Sequence, residues 1–307
     1  MEKVLITGGC GFIGSHIVEE LEKKYKVTVV DNLSTGNYNN ILSDVEFYNS
    51  DITTSEFRDL VRNIKPDYII HQAGQVSVTN SINDILNDQN ENIKGSINVL
   101  EAARENKTKK IIFASSAAVY GTPNKLPIST LHPTVPLSPY GLSKNTVENY
   151  IILYKKMFDL NYTILRYSNV YGPRQNINGE GGVISHFFKK LLNHEKPSVY
   201  GDGKQTRDFV YVKDVARANL KAIQGGHEKI LNVSSSTSTS IIDLLSLFSS
   251  TLKREVKPIY YKERMGEIRH SILCNRETMK LLNWEPKYTL EMGLLETYRS
   301  FISEVSS

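Results

Sequence analysis

The sequence predicts an α/β fold in which a doubly wound parallel sheet is followed by a smaller mixed α/β lobe. Two observations lead to this prediction. Short runs rich in β-branched and aromatic residues alternate with helix-length periodic segments through the first half of the chain, and a glycine-rich turn follows the first of these runs. Alternation of this kind is typical of βαβ units, which build a parallel sheet with helices on both faces.

The individual elements follow from the same patterns. β-rich runs predict strands at 4–7, 27–30, 45–48, 68–70, 110–114 and 162–166, and the segments between them predict helices at 12–24, 54–63, 87–105 and 138–158. After residue 168 the alternation stops, so we predict a first domain at 1–168 and a second lobe formed mainly by 169–307. A run at 230–233 is predicted to return to the first sheet, and the loop at 234–240 is predicted to cap a helix from Ile241.

Composition and charge argue against several kinds of partner. The 307 residues are 40% apolar, which is enough for a sizeable core. The 37 basic and 33 acidic residues give +4 without a basic run, so we expect no nucleic-acid partner. With no apolar window of membrane-span length and no leader, we expect a cytoplasmic protein without membrane contact. Cys10 and Cys274 are the two cysteines and have no neighbouring Cys or His at metal-ligand spacing, so no disulfide or metal site is expected.

The turn after the first predicted strand has the character of a phosphate cradle. Gly8, Gly11 and Gly14 follow the spacing G-x-x-G-x-x-G, and Phe12 and Ile13 open the predicted helix. Glycine lets the backbone approach a pyrophosphate closely, and the helix start offers free N–H groups and the positive end of its dipole. The segment therefore predicts a Rossmann-type dinucleotide site that includes all five residues.

Acidic residues at the ends of the next strands indicate which dinucleotide binds. Asp31 ends the second predicted strand, where a carboxylate accepts hydrogen bonds from the adenosine ribose and repels a 2′-phosphate. We therefore predict NAD rather than NADP. Asn32 belongs to the same predicted site, and Asp51 and Ile52 are predicted at the adenine edge. Alternatively, Asp31 caps a turn, a role that Asn32 could also fill.

The candidate catalytic residues come from a helix and a strand end. Tyr140 and Lys144 are four residues apart in a predicted helix, so the ammonium can stand beside the phenol and favour its ionised form. A tyrosine in this setting is a candidate base near neutral pH. Ser115 and Ser116 follow a predicted strand at the edge where open α/β folds bind ligands. Each pattern alone is also typical of an ordinary helix face or turn.

Seven motifs occur along the chain: TGGCGFIG at 7–14, HQAGQ at 71–75, SSAAVYG at 115–121, Tyr140 with Lys144, RYSNVYGPR at 166–174, GDGKQTRDF at 201–209 and RMGEIRHS at 264–271. In these residues the chain resembles the extended short-chain dehydrogenases/reductases of the nucleotide-sugar epimerase/dehydratase group, and among them the UDP-hexose 4-epimerases. They span nearly the whole chain.

The resemblance implies a reaction and a set of roles. Tyr140 is implied to take the proton of the sugar 4-hydroxyl, Lys144 to bind the nicotinamide ribose and lower the tyrosine pKa, and Ser116 to hydrogen-bond the reacting oxygen. Hydride passes from C4 of a UDP-hexose to NAD and returns to the other face, which inverts C4 without net oxidation. The other implied contacts are to the cofactor from Gln72, Ala73 and Gly74, to the diphosphate from Asn169, Arg207 and Arg264, and to the uridine ribose from Glu267.

Other chemistries of the group are less compatible with the residues. Dehydratases typically carry an Asp-Glu pair after the catalytic hydroxyl residue, and decarboxylating relatives usually keep a Glu there, whereas this chain has Ala117 and Ala118. Alanine cannot move protons. A reductase using NADPH would not be expected to carry Asp31. A non-catalytic NAD-binding scaffold is a further alternative, against which the intact Ser116 and Tyr140 argue.

The sequence predicts the range of substrates and the oligomeric state in less detail than it predicts the reaction. By resemblance, Ser271 stands where a bulky residue narrows the sugar pocket and a small one admits a 2-acetamido group. We therefore expect UDP-N-acetylglucosamine and UDP-N-acetylgalactosamine to be accepted alongside UDP-glucose and UDP-galactose. A homodimer is also expected, unless the second lobe covers the apolar surface of the helix after Tyr140, which carries Val147, Tyr150, Ile151, Tyr154 and Phe158.

Overall fold

The computed structural model describes residues 1–42, 44–176, 182–263 and 268–306. Within these ranges the strands are β1 (Lys3–Thr7), β2 (Lys26–Asp31), β3 (Glu46–Asn49), β4 (Tyr68–His71), β5 (Lys110–Ser116), β6 (Asn161–Tyr167), β7 (Asn169–Tyr171), β8 (Ser198–Tyr200), β9 (Thr206–Arg207), β10 (Phe209–Tyr211), β11 (Lys229–Val233), β12 (Thr239–Ser240) and β13 (Ile259–Tyr261). The helices are α1 (Phe12–Leu21), α2 (Ser55–Ile64), α3 (Val78–Asn83), α4 (Ile85–Asp88), α5 (Gly95–Glu105), α6 (Pro139–Phe158), α7 (Val183–Leu192), α8 (Val212–Gln224), α9 (Ile241–Leu252), α10 (Arg276–Leu282) and α11 (Leu290–Ser306).

The main sheet is parallel and doubly wound, as predicted. Its strand order is β11-β6-β5-β4-β1-β2-β3, and neighbouring strands pair in parallel. The order reverses between β1 and β4, so the crevice outside the carboxyl ends of these two strands is the expected ligand site. The fold therefore places the residues that follow β1 and β4 at the same edge.

Helices cover both faces of this sheet because its central strands are apolar on both sides. On one face, α1 and α8 contribute Ile17, Leu21, Val215 and Ile223 to a buried cluster with Val4. On the other face, a second buried cluster includes Phe57 of α2, Leu100 of α5 and Ile151 of α6. Near-continuous apolar strands are characteristic of parallel sheets buried on both faces.

The predicted helix at 87–105 is present, but it is not one regular α-helix. The structure has the short helix α4, a π-helical turn at Gln89–Lys94 and then α5. The wide turn carries the buried Asn92, and the neighbouring Asp88 at the end of α4 is also buried. Two polar side chains are thus buried where a regular amphipathic helix would bury apolar ones, and π-turns often occur at functional sites.

The second lobe has its own core, whereas β11 and α8 from the same half of the chain belong to the main sheet. Phe187 and Phe188 of α7, Phe248 of α9 and Phe301 of α11 are buried together. β11 pairs in parallel with β6 and so lies at the end of the main sheet. The Ser240 hydroxyl accepts a hydrogen bond at 3.0 Å from the amide of Asp243, which caps α9. Among the described residues, no helix combines the length and apolar character needed to cross a membrane.

Candidate active site

The glycine turn lies at the point where the strand order reverses. Gly8 has a φ of +71°, and a methyl group placed on it would lie 2.6 Å from the backbone nitrogen of Ala73. A methyl group on Gly14 would lie 2.0 Å from the carbonyl oxygen of Gly8. Both positions thus require glycine for the turn itself. Because Gly11 precedes α1 and has no side chain to cap it, the first N–H groups of that helix remain available to an anion.

The acidic residues at the end of β2 and after β3, Asp31 and Asp51, each accept hydrogen bonds from neighbouring groups. The Asp31 carboxylate accepts hydrogen bonds from the amides of Cys10 at 2.9 Å and Leu33 at 2.8 Å. Asn32 donates to Asp51 at 3.0 Å. Asp31 therefore makes the contacts of a turn cap, the alternative role considered for it above. Each carboxylate oxygen has two lone pairs, so these contacts leave acceptor capacity for a ribose hydroxyl.

The residues after β4 lie between the glycine turn and the candidate catalytic helix. Gln72 donates through Nε2 to the Tyr167 hydroxyl at 3.1 Å. A methyl group on Gly74 would lie 2.4 Å from Oδ1 of Asn92 and 3.8 Å from Nζ of Lys144. That Asn92 oxygen is buried and has no hydrogen-bond partner among the described residues. A buried acceptor of this kind needs a donor, and a ribose hydroxyl of a bound dinucleotide would supply one.

Helix α6 presents Tyr140 and Lys144 to the carboxyl edge of the sheet. The helix starts at Pro139, and the Ser138 hydroxyl caps it by accepting a hydrogen bond from the Gly141 amide at 3.1 Å. Lys144 is buried, and its Nζ donates to the carbonyl oxygen of Ala114 at 3.1 Å and lies 5.9 Å from the centre of the Tyr140 ring. Ser116 lies at the end of β5, and its hydroxyl is close enough to the Tyr140 phenol to lower the pKa of that phenol. The structure therefore brings together the three predicted catalytic residues.

The electrostatics of this group differ in part from the sequence-based expectation. Burial raises the pKa of the Tyr140 phenol, the hydrogen bond from Ser116 lowers it, and the charge of Asp88 raises it. Burial lowers the pKa of Lys144 to about 8, against the opposing charge of Asp88. The expected lowering of the tyrosine pKa by Lys144 is therefore not the dominant effect in the protein alone, where desolvation of the phenol prevails.

Asp88 was missed by the sequence reasoning. It is buried and accepts hydrogen bonds at Oδ1 from Gln75 at 2.9 Å and Asn92 at 3.0 Å. The amide of Asn92 also contacts the Ser143 hydroxyl at 3.2 Å, next to Lys144. The run of polar residues at 87–92, inside a segment predicted to be an amphipathic helix, was the available signal.

Three further predicted substrate contacts lie within the described residues: Asn169, Arg207 and Ser271. They are at the carboxyl edge of the main sheet, on the side of the second lobe. β7 starts at Asn169, two residues after Tyr167, which pairs with Ser116 in the main sheet. The backbone N–H of Asn169 donates to the carbonyl of Asp208 at 3.0 Å, next to Arg207. Ser271 is partly buried, and its amide donates to the carbonyl of Thr206 at 3.2 Å. Arg264 and Glu267 lie outside the described residues.

The match to a family model identifies the kind of protein. Residues 4–234 match the model of the family described as NAD dependent epimerase/dehydratase. The chain belongs to this family. This membership confirms the resemblance inferred from the motifs, and the family's NAD dependence confirms the predicted cofactor.

Members and structural neighbours of the epimerase/dehydratase family cover the chain almost completely. The UDP-glucose 4-epimerase of Mycolicibacterium smegmatis is 35% identical over 308 residues, which are 97% of this chain and 98% of that one. The UDP-glucose 4-epimerase of Thermotoga maritima, solved with UDP-glucose, has a TM-score of 0.96 and 38% identity, with 99% of both chains covered. The UDP-N-acetylglucosamine 4-epimerase of Methanobrevibacter ruminantium, solved with UDP-N-acetylmuramic acid, has a TM-score of 0.95 and 35% identity, also with 99% of both chains covered.

Proposed function

We propose that this protein is a UDP-sugar 4-epimerase that uses NAD and inverts C4 through a transient 4-keto sugar. The proposal rests on one observation: Tyr140, Lys144 and Ser116 lie together at the carboxyl edge of the sheet, next to the glycine turn. The relatives named above as UDP-sugar 4-epimerases support the same activity.

The side chains of the site would act on a single hydroxyl. Bound NAD supplies a reversible hydride acceptor. The Tyr140 phenolate takes the proton of the sugar 4-hydroxyl and returns it at the end of the cycle, while the Ser116 hydroxyl holds the reacting oxygen. Lys144, fixed by the Ala114 carbonyl, keeps a positive charge near the phenol and opposes the effect of its burial. The part-buried position of Tyr140 limits the access of water to this proton.

The residues after Ser116 favour epimerisation over dehydration. Ala117 and Ala118 belong to a 3-10 turn, and the Ala118 amide donates to Ser116 Oγ at 3.1 Å. Neither side chain can exchange a proton with a sugar carbon or oxygen. Elimination of water would therefore need an acid and a base that these two positions do not offer.

We further propose that the enzyme accepts the 2-acetamido sugars as well as the plain hexoses. Ser271 is a small residue at the position where the resemblance implies that a bulky one narrows the sugar pocket. The structural similarity to both a UDP-glucose and a UDP-N-acetylglucosamine 4-epimerase is compatible with either substrate pair.

The decisive experiment measures interconversion of all four UDP-sugars by the purified holoenzyme and by its Tyr140→Phe variant. We expect turnover in both pairs, and a loss of roughly 10²–10⁴-fold in the variant, the usual contribution of a general base. Tyr150→Phe is the matched control, because it removes a hydroxyl from the same helix outside the catalytic group. Full activity of Tyr140→Phe refutes the mechanism, and failure to convert the acetamido pair refutes the wider substrate range.

We also propose that two copies of the chain associate through α6. Of the side chains named from periodicity, Val147, Ile151 and Tyr154 are buried within the chain, whereas Phe158 is exposed. The exposed apolar surface consists instead of Leu142, Leu153, Met157 and Phe158 of α6 with Ile82, Ile85 and Leu86 of α3 and α4. A second copy of the same surface would cover it.

A further inference from the structure

The last three residues of β5 each contact helix α6. The carbonyl of Ala114 accepts from Lys144 Nζ at 3.1 Å, the Ser115 hydroxyl donates to the Glu148 carboxylate, and the Ser116 hydroxyl lies close enough to the Tyr140 phenol to lower its pKa. Residues 140, 144 and 148 are spaced by four, so they lie on one face of the helix. Three successive residues of a strand are thus joined to three successive turns of the helix that carries the candidate base.

Glu148 lies at the centre of a buried charged group. It is 2% exposed, and Arg166 of β6 is 3% exposed. Arg166 donates through Nε to Glu148 Oε1 at 2.9 Å and through Nη2 to Oε2 at 2.5 Å. Ser115 donates to the same Oε1, and it is paired with Arg166 across β5 and β6. One carboxylate therefore holds two strand ends and the helix in a single geometry.

Stability alone does not account for this arrangement. Burying two opposite charges is costly, and well-packed apolar residues of similar volume often stabilise a core as well or better. The surrounding cluster on this face of the sheet is apolar, so apolar side chains at positions 148 and 166 could have packed against it. A bidentate ion pair does fix relative orientation, because the planar guanidinium must face both carboxylate oxygens.

We propose that Glu148 is a positioning residue: through Ser115 and Arg166 it sets the register of α6 against β5, so that the Ser116 hydroxyl stays beside the Tyr140 phenol. This inference rests on the catalytic roles given to Tyr140 and Ser116 in the proposed function. Glu148 itself touches neither of them. Its effect on the reaction passes through the placement of the strand end.

A direct test compares Ser115→Ala and Glu148→Gln with the wild-type holoenzyme. Both variants loosen the contact between β5 and α6, and we expect kcat to fall roughly ten- to a hundredfold, as small misplacements of reacting groups do. KM for the UDP-sugar is expected to stay within about twofold, since neither residue contacts the nucleotide. Because the Ser116 hydrogen bond lowers the pKa of Tyr140, its weakening shifts the acidic limb of the kcat–pH profile to higher pH.

Thr163→Val provides the matched control. Thr163 is buried on the same strand as Arg166, and its hydroxyl donates to the Gly226 carbonyl at 2.7 Å, away from the carboxyl edge. The control is expected to lower the melting temperature without changing the pH profile. If Ser115→Ala and Glu148→Gln also lower only the melting temperature, their role is structural and the proposal is overturned.

A second readout separates this proposal from the proposed function. In protein carrying ¹³C-labelled tyrosine, the Tyr140 signal is identified by its loss in Tyr140→Phe. We expect that signal to shift in Ser115→Ala and in Glu148→Gln and to stay unchanged in Thr163→Val. A wild-type protein that converts no UDP-sugar overturns the proposed function, and an unmoved Tyr140 signal in the two variants overturns the positioning role by itself.

Discussion

The Asp88 carboxylate accepts a hydrogen bond from the amide of Asn92 at 3.0 Å, and both side chains are buried beside the candidate catalytic helix. Asp88 is the one acidic group whose charge raises the pKa of Tyr140 and of Lys144 among the described residues. A buried negative charge opposes formation of the phenolate and favours the ammonium. The pH range of catalysis is therefore expected to depend on Asp88.

Replacing Asp88 with Asn should move the kcat–pH profile to lower pH. Without the negative charge the phenol loses its proton at lower pH, which moves the acidic limb down. Burial lowers the pKa of Lys144 to about 8, and the charge of Asp88 opposes this lowering. Removing that charge lowers the pKa of Lys144 further, so the basic limb also moves to lower pH. The measurement is kcat at saturating UDP-sugar between pH 5 and pH 10. Asp84→Asn, a change of the same charge at the exposed cap of α4, should leave the profile in place.

A side chain at Gly74 should weaken retention of the cofactor. Gly74 has a φ of +152°, and a methyl group there would lie 2.4 Å from the Asn92 oxygen. Gly74→Ala therefore strains the backbone and displaces Asn92, and we expect less NAD to be released per mole of denatured protein. Gly182→Ala is the control, because a methyl group on Gly182 meets nothing within 4 Å. Equal NAD content in the two variants would contradict the predicted site.

The sequence was informative where a function requires a local pattern and uninformative where it requires packing between distant elements. The glycine turn, the strand ends and the pair Tyr140 and Lys144 follow from spacing within short segments, and the fold brings them to one edge. Glu148 and Arg166 lie on different elements, and their pairing depends on how α6 packs against β6, which periodicity cannot specify. Asp88 immediately precedes a π-helical turn, and the polar run at 87–92 signals that the segment is irregular without specifying which side chain is buried at the site.

The stability of the wild type relative to Lys110→Met should increase with pH. Lys110 is buried, its Nζ donates to the carbonyls of Ala222 and Gly225 at 2.6 Å each, and burial lowers its pKa to about 7. Between about pH 7 and the ordinary lysine value, the unfolded chain binds more protons at this site than the folded chain does. Raising the pH across this interval therefore favours folding, by at most about 1.4 kcal/mol per pH unit.

Urea denaturation of wild type and Lys110→Met at pH 6.5 and pH 9 measures this effect. The difference in unfolding free energy between the two proteins should change between these pH values in favour of the wild type. A difference that does not depend on pH would show that Lys110 remains protonated in the folded protein across this range.

A charge on the exposed surface of α6 should prevent association. Met157 is 61% exposed and lies one turn from Leu153 on the same side of the helix. Met157→Glu places a carboxylate where two copies would bury apolar area, so we expect a monomer by light scattering at micromolar concentration, against a dimer for the wild type. Leu131→Glu, at a residue that is 89% exposed away from α6, should remain dimeric. A monomeric wild type would contradict the proposed assembly.

Enlarging residue 271 should separate the two pairs of substrates. The amide of Ser271 donates to the Thr206 carbonyl, so residue 271 is fixed next to Arg207, the candidate diphosphate contact, and a larger side chain there reduces the free volume of the proposed sugar site. We expect Ser271→Tyr to lower kcat/KM for UDP-N-acetylglucosamine by roughly 10–200-fold, the discrimination that a small steric difference in a pocket provides. UDP-glucose is the internal control and should change by less than about threefold. An equal loss for both sugars would place residue 271 outside the wall that contacts the 2-acetamido group, and the accepted range would then have to be set by other residues.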